Sequence, residues 1–309
     1  MKLTVLQDKL AKATSTASRF VSSKAQLPVL GNLHLKTKKN KLIINATNLE
    51  LSISLSLGAQ VEEEGEITIP AKQLTEIINN LPKLPIELEV TKEQLKITTE
   101  NFSSTLAGVN ASDFPKVPMT LAKDVLELPT DTITEALEKI LFSVSIDDTR
   151  PHITGALFLF KTGRIEIVST DGFRLSRKNI PLKGLKQELK VIIPKAVLAE
   201  LTRLSSESEQ VLFEYNENES QIVFGLPGII LSSRVIDGEF PPYEKIIPKE
   251  TGYKLSVDKE ELARTVRLAS VFAKDSLNAI KFKLKSKGLD ILAESKTSGT
   301  QKSYLEAKC

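Results

Sequence analysis

Lys2-Leu3-Thr4-Val5, followed by Leu10, Ala13, Ala17 and Phe20 at helical spacing, reads as a strand running into an amphipathic helix. The pattern returns twice. Val125-Leu126-Glu127-Leu128 precedes Ile133, Leu137, Ile140 and Val144. Lys254-Leu255-Ser256-Val257 precedes Leu262, Val266, Ala269 and Phe272. The copies are spaced by 123 residues (Leu10 to Ile133) and then 129 (Ile133 to Leu262). That period is domain-sized, far beyond the roughly 20–50 residues of a solenoid repeat. The chain is therefore expected to consist of tandem domains of one fold.

The segments that follow repeat as well. Leu30 to Leu35, Ile153 to Phe158 and Leu277 to Phe282 read as strands, each followed by a turn and a second strand: Lys41 to Thr47, Arg164 to Thr170 and Gly288 to Glu294. A second strand-to-helix entry follows in two copies. It is Ile67-Thr68-Ile69-Pro70-Ala71-Lys72 in the first and Val191-Ile192-Ile193-Pro194-Lys195 in the second, with proline expected in the first helical turn. The prediction is an α+β chain of tandem repeated domains, each with two helices packed on antiparallel sheet. The boundaries fall near 1–120, 121–248 and 249–309, and the third domain holds the first half of the pattern only.

Composition narrows the function. Charged residues make up 26% and hydrophobic residues 41%, with a formal net charge of +3, which does not suit binding by bulk charge. One cysteine, Cys309, excludes a disulfide framework and a cysteine-based metal site. The N-terminus lacks the apolar core of a signal peptide, and no apolar run approaches the roughly 20 residues of a membrane span. A cytoplasmic protein without membrane contact is expected. There is no Walker loop, dinucleotide fingerprint or nucleophile elbow. Of the two histidines, His34 sits in an apolar strand, while His152 closes the polar loop Asp147-Asp148-Thr149-Arg150-Pro151-His152. That loop is the one place where an enzymatic reading could start. The expectation is a non-enzyme with no catalytic residue, metal or cofactor.

Five segments resemble the β subunit of bacterial DNA polymerase III, the sliding clamp family. They are Leu27-Pro28-Val29-Leu30-Gly31-Asn32, Ala46-Thr47-Asn48-Leu49-Glu50-Leu51, Ile69-Pro70-Ala71-Lys72, Ser169-Thr170-Asp171-Gly172-Phe173-Arg174-Leu175 and Asp237-Gly238-Glu239-Phe240-Pro241-Pro242-Tyr243. The resemblance runs the length of the chain. It implies the DNA clamp fold and a head-to-tail homodimeric ring around double-stranded DNA. It also implies tethering of DNA polymerase III, clamp loader subunits, other DNA polymerases and repair proteins through short linear motifs.

Site residues follow from the same resemblance. Ile153, Thr170, Gly172, Phe173, Arg174, Leu175, Pro241 and Ile246 are expected to form the partner-peptide pocket, with Phe173 where the best-known members carry histidine. Gly172 allows close backbone approach and Arg174 offers a fork of donors. Lys24, Lys72, Arg150, His152 and Lys195 are the candidate DNA contacts. Ser104 and Leu106 of the first domain, with Val271 and Phe272 of the third, are the expected dimer interface. The halved third domain predicts weak dimerisation. A second reading is a peptide-binding adaptor that keeps the pocket without closing a ring.

Overall fold

The computed structural model describes residues 1–309 except 23–26, 123–124, 187, 249, 251, 253 and 309. The first copy runs β1 (Lys2–Leu6), α1 (Gln7–Ala17), β2 (Asn32–Lys38), β3 (Lys41–Thr47), β4 (Leu51–Gly58), β5 (Gln60–Glu63), β6 (Glu66–Pro70), α2 (Ala71–Asn80), β7 (Pro85–Thr91), β8 (Gln94–Thr99) and β9 (Phe102–Ala107). The second runs β10 (Leu126–Pro129), α3 (Thr130–Glu138), β11 (Gly155–Lys161), β12 (Arg164–Thr170), β13 (Leu175–Pro181), β14 (Leu189–Pro194), α4 (Lys195–Leu204), β15 (Gln210–Asn216), β16 (Gln221–Leu226) and β17 (Ile229–Arg234). The third contains α5 (Lys259–Ala273), β18 (Lys281–Lys285), β19 (Gly288–Ser295) and β20 (Gly299–Glu306). By packing, the chain divides into Met1–Phe240 and Pro241–Cys309.

In the first unit α1 lies against α2, and the apolar positions that defined the helices point inward. Leu10, Leu74, Ile78, Ile133, Val197, Leu198 and Leu201 are buried in one core that runs through both copies. Each such side chain contributes about 1.5–3 kcal/mol relative to exposure. Neither α1 nor α3 has a side-chain cap. Their first amides donate instead to neighbouring strand ends, Gln7 N to Leu84 O (3.2 Å) and Thr130 N to Glu209 O (3.0 Å). Each helix start is therefore fixed by the sheet it packs on.

All strand pairings among the described residues are antiparallel. One sheet has the order β5-β1-β7-β8-β9 and another β13-β12-β11-β14. The third, β10-β15-β16-β17-β4-β3-β2-β6, crosses from one copy to the other. Its seam is β17 against β4, with Ile229 opposite Leu55, Leu231 opposite Ile53 and Ser233 opposite Leu51. Ser56 N also donates to Gly228 O at 2.8 Å. The two copies are thus joined by main-chain hydrogen bonds within one continuous sheet.

In the second unit α5 begins at Asp258, whose side chain accepts from Glu261 N at 2.9 Å. It packs on β19 and β20 around Ala269, Ala273, Leu289, Ile291, Ala293 and Leu305. Some expectations need correction. Residues 254–257 do not form a strand: Ser256 makes a single bridge to Lys308, whereas β1 has partners on both sides, β5 and β7. The strands expected from Leu30, Ile153 and Leu277 start later, at Asn32, Gly155 and Lys281. Pro28–Gly31 and Pro151–Ile153 are single 3-10 turns, and Leu277 and Asn278 take left-handed φ values of 53° and 57°. Pro70 and Pro194 end their strands and sit just before α2 and α4 rather than inside the first turn. Helix α3 stops at Glu138, so Ile140 and Val144 flank a 3-10 turn, Leu141–Ser143.

Candidate functional site

The turn between β12 and β13 is built by its own side chains. Thr170 Oγ donates to Arg174 O (2.8 Å) and accepts from Gly172 N (3.0 Å). Asp171 Oδ1 accepts from Phe173 N and Arg174 N, both at 3.0 Å, and Oδ2 accepts from Arg174 Nε at 2.9 Å. Burial pushes the Asp171 carboxyl up, but the amides of Arg174 and Phe173 and the Arg174 guanidinium outweigh it and hold the group below its usual range. Gly172 takes φ +91°.

The first copy carries the same turn. Thr47 Oγ donates to Leu51 O (3.2 Å) and accepts from Leu49 N (3.0 Å). Asn48 Oδ1 accepts from Glu50 N (3.1 Å) and Leu51 N (2.8 Å), and Leu49 takes φ +78°. The hydrogen-bonded frame therefore belongs to the fold. What distinguishes the second copy is its cargo: Gly172, Phe173 and Arg174 in place of Leu49, Glu50 and Leu51.

The expected pocket residues differ in exposure. Phe173 is 95% exposed and Arg174 is exposed, while Leu175 is half-buried. Thr170 is buried in its role as the turn's hydrogen-bond hub, and Ile153 is only 2% exposed. Ile153 is therefore covered by its own unit, while Phe173 and Arg174 reach the surface. In the second unit, Pro241 is half-buried and Ile246 exposed.

One of the DNA candidates, Arg150, stands next to this turn, and His152 stands next to Gly238. A Cβ on Gly172 would lie 3.2 Å from Arg150 Nη1, and one on Gly238 would lie 3.7 Å from His152 Cβ. Arg150 Nε donates to Asp147 Oδ2 at 2.8 Å. Asp147 Oδ1 accepts from the Thr149 hydroxyl (2.6 Å) and amide (3.1 Å). The Thr149 hydroxyl, then Arg150, hold the Asp147 carboxyl below its usual range. Asp147 thus organises its loop and is poorly suited as a general base. Lys72 is exposed at the start of α2 and Lys195 half-buried at the start of α4. Lys24 lies outside the described residues. Of the expected interface residues, Ser104 and Leu106 are half-buried on β9, Val271 is exposed, and Phe272 packs on the core of its unit.

Sequence reasoning missed Phe142. It is 57% exposed in the Leu141–Ser143 turn, with the Arg174 guanidinium carbon 5.7 Å from its ring centroid. Its place within a run of apolar residues disguised it as core. Among the described residues no three His, Cys, Asp or Glu side chains are grouped to hold a metal ion, and no helix is long and apolar enough to cross a membrane.

The family models for the N-terminal and central domains of the DNA polymerase III beta subunit match residues 1–118 and 127–242. The chain belongs to that family. It is 32% identical over 310 residues to a beta sliding clamp of Synechocystis, covering 93% of this chain and 79% of the relative. A Staphylococcus aureus beta sliding clamp is 26% identical, with 99% and 84% covered. Among solved structures, a Bartonella birtlesii sliding clamp bound to griselimycin superposes with a TM-score of 0.93 at 26% identity. A Pseudomonas aeruginosa sliding clamp, also bound to griselimycin, gives 0.92 at 24%. Both cover 100% of this chain and 84% of the solved one. The repeated strand–helix pattern is therefore the DNA clamp fold, with helices packed on antiparallel sheets.

Proposed function

We infer that this clamp encircles double-stranded DNA as a closed assembly of two copies. It holds DNA polymerase III and other motif-bearing partners through the Thr170–Leu175 turn. The observation that carries the reading is the β17·β4 seam. It joins two family modules end to end through the main chain, which is the kind of joint an assembly of repeated modules needs. The working division is three modules, near 1–120, 121–248 and 249–309.

The same joint supports closure between copies. The β8–β9 hairpin pairs Thr99 with Phe102 as the β16–β17 hairpin pairs Leu226 with Ile229, so β9 is the counterpart of β17. The β19·β20 ladder pairs Leu289 with Leu305 as β3·β4 pairs Leu42 with Leu57, so β20 is the counterpart of β4. Transferring the seam register sets Phe102 opposite Ser303, Ser104 opposite Gln301 and Leu106 opposite Gly299 of a second copy. This supports Ser104 and Leu106 as members of the proposed interface. The presence of β20, the strand needed for the joint, favours closure over the weak dimerisation expected from the halved third domain. Val271 and Phe272, on α5, complete the proposed interface set.

Lys72, Arg150, His152 and Lys195 are the proposed DNA contacts, sparse enough to let the assembly slide. No catalytic step is required of any residue. The proposed location is the cytoplasm, where bacterial replication takes place. The test is retention on nicked circular DNA after loading, followed by linearisation. Encirclement predicts co-elution with the circle and release once an end is cut. Equal retention on circular and linear DNA would mean that the protein grips rather than encloses, and would overturn the reading.

A further inference from the structure

We propose that Phe142 is a positioning residue of the partner site, its ring fixing the plane of the Arg174 guanidinium so that the free Nη edge faces an incoming peptide. The inference rests on reading the Thr170–Leu175 turn as that site.

Phe142 is mounted rigidly although it is exposed. The buried hydroxyls of Ser143 and Ser169 lie 2.6 Å apart. Both reach the Ile140 carbonyl, Ser143 Oγ at 3.0 Å and Ser169 Oγ at 2.8 Å. Ser169 is the residue before Thr170, so the turn bearing Phe142 is tied to the end of the strand that carries the partner loop. An aromatic ring that is 57% exposed on so fixed a support is not there to fill the core.

Arg174 is constrained from two directions. Asp171 holds Nε at 2.9 Å, and the Phe142 ring lies 5.7 Å from the guanidinium carbon. The carboxylate fixes one edge and the ring fixes the plane, leaving the two Nη groups for a partner. An arginine on a free stem would lose rotamer freedom on binding, and pre-orientation removes part of that cost. The equivalent turn of the first copy has Leu51 in place of Arg174, so the arrangement is particular to the second copy and is not required by the fold.

The test is titration with griselimycin, the ligand bound in the two solved clamps named above, of the wild type, Phe142→Leu, Phe142→Tyr, Arg174→Ala and the Phe142→Leu/Arg174→Ala double variant. Phe142→Leu keeps an apolar side chain but removes the π face, and should weaken binding about two- to fivefold. Phe142→Tyr should bind like the wild type. In the Arg174→Ala background Phe142→Leu should add no further loss, because its effect runs through the guanidinium. Wild-type affinity for Phe142→Leu, or an equal loss with and without Arg174, would overturn the inference while leaving the site in place. Unchanged binding by Arg174→Ala would overturn the site itself, and the inference with it.

Discussion

Arg19 and Glu200, 181 residues apart, form a bidentate ion pair between the end of the first helix of one copy and the second helix of the next. Arg19 Nε and Nη2 donate to Glu200 Oε2 at 3.1 and 2.8 Å, and Glu200 Oε1 also accepts from Arg203 Nη1 at 2.7 Å. Lys12 reaches Glu207 across the same seam at 2.8 Å. The backbone joins the sheets there, while these pairs hold the helices in step. The Glu200 side chain is only 14% exposed, so its pairing is screened less than a surface bridge. Arg19→Ala should cost about 1 kcal/mol of stability, and a cycle with Glu200→Ala should show a coupling of similar size. Urea denaturation of the four proteins measures it; zero coupling would reduce the pair to surface decoration.

The transferred seam register makes a sharp prediction. In a Cys309→Ser background, Ser104→Cys with Gln301→Cys should form a disulfide between copies under mild oxidation. Ser104→Cys with Lys302→Cys, slipped by one residue, should not, because a one-residue slip turns the side chain to the other face. Non-reducing electrophoresis reads the outcome, and preferential cross-linking of the slipped pair would refute the register.

His34 gives the fold a pH dependence. It is buried on β2, its Nε2 3.2 Å from Glu66 Oε2 and its Nδ1 accepting from Asn45 Nδ2 at 3.2 Å, with Phe114 5.0 Å away between ring centroids. Burial, only partly opposed by Glu66, holds its pKa below the ordinary 6.5. The unfolded chain therefore binds the proton first. Stability should decline as pH falls through about 6.5, and level off once the folded-state pKa is passed. Thermal midpoints at pH 7.5 and 5.5 should differ less in His34→Gln than in the wild type; parallel curves would assign the dependence to other groups.

Gly172→Ala should destabilise the chain by about 1–2 kcal/mol, because a Cβ is disfavoured at its left-handed φ. The new methyl would also press on Arg150 Nη1, so partner-peptide affinity should fall with it. Thermal denaturation and a peptide titration together check this; an unaltered protein would show that the turn relaxes freely.

How far the residues announced this architecture depends on which atoms carry the information. Leu10, Ile133, Leu74 and Val197 point to the core because burial imposes a period on side chains. The Thr47 and Thr170 turns are written in side chains too, because the threonine, asparagine and aspartate there make the hydrogen bonds. The β17·β4 seam left no such trace. Leu231 and Ile53 would look the same in any strand, since the joint is made by main-chain groups that every residue has. The left-handed Leu277 and Asn278 broke a strand that apolar character alone had suggested. Apolar character likewise does not reveal that Ile153 is buried while Ile246 stays at the surface.

In unit 1 the first copy supplies the receiving edge β4 and the second supplies the inserting edge β17, yet each copy has strands of both types. A module of this kind is complementary to itself in one direction. Tandem duplication of its coding segment would produce a pair joined through the main chain at once. Because the ladder of the joint is made of amides and carbonyls, residues away from the seam can change in one copy without touching it. One turn was free to keep Leu49 and Glu50 while its twin acquired Gly172, Phe173 and Arg174. Duplication thus preserves the assembly and leaves one copy at liberty to specialise.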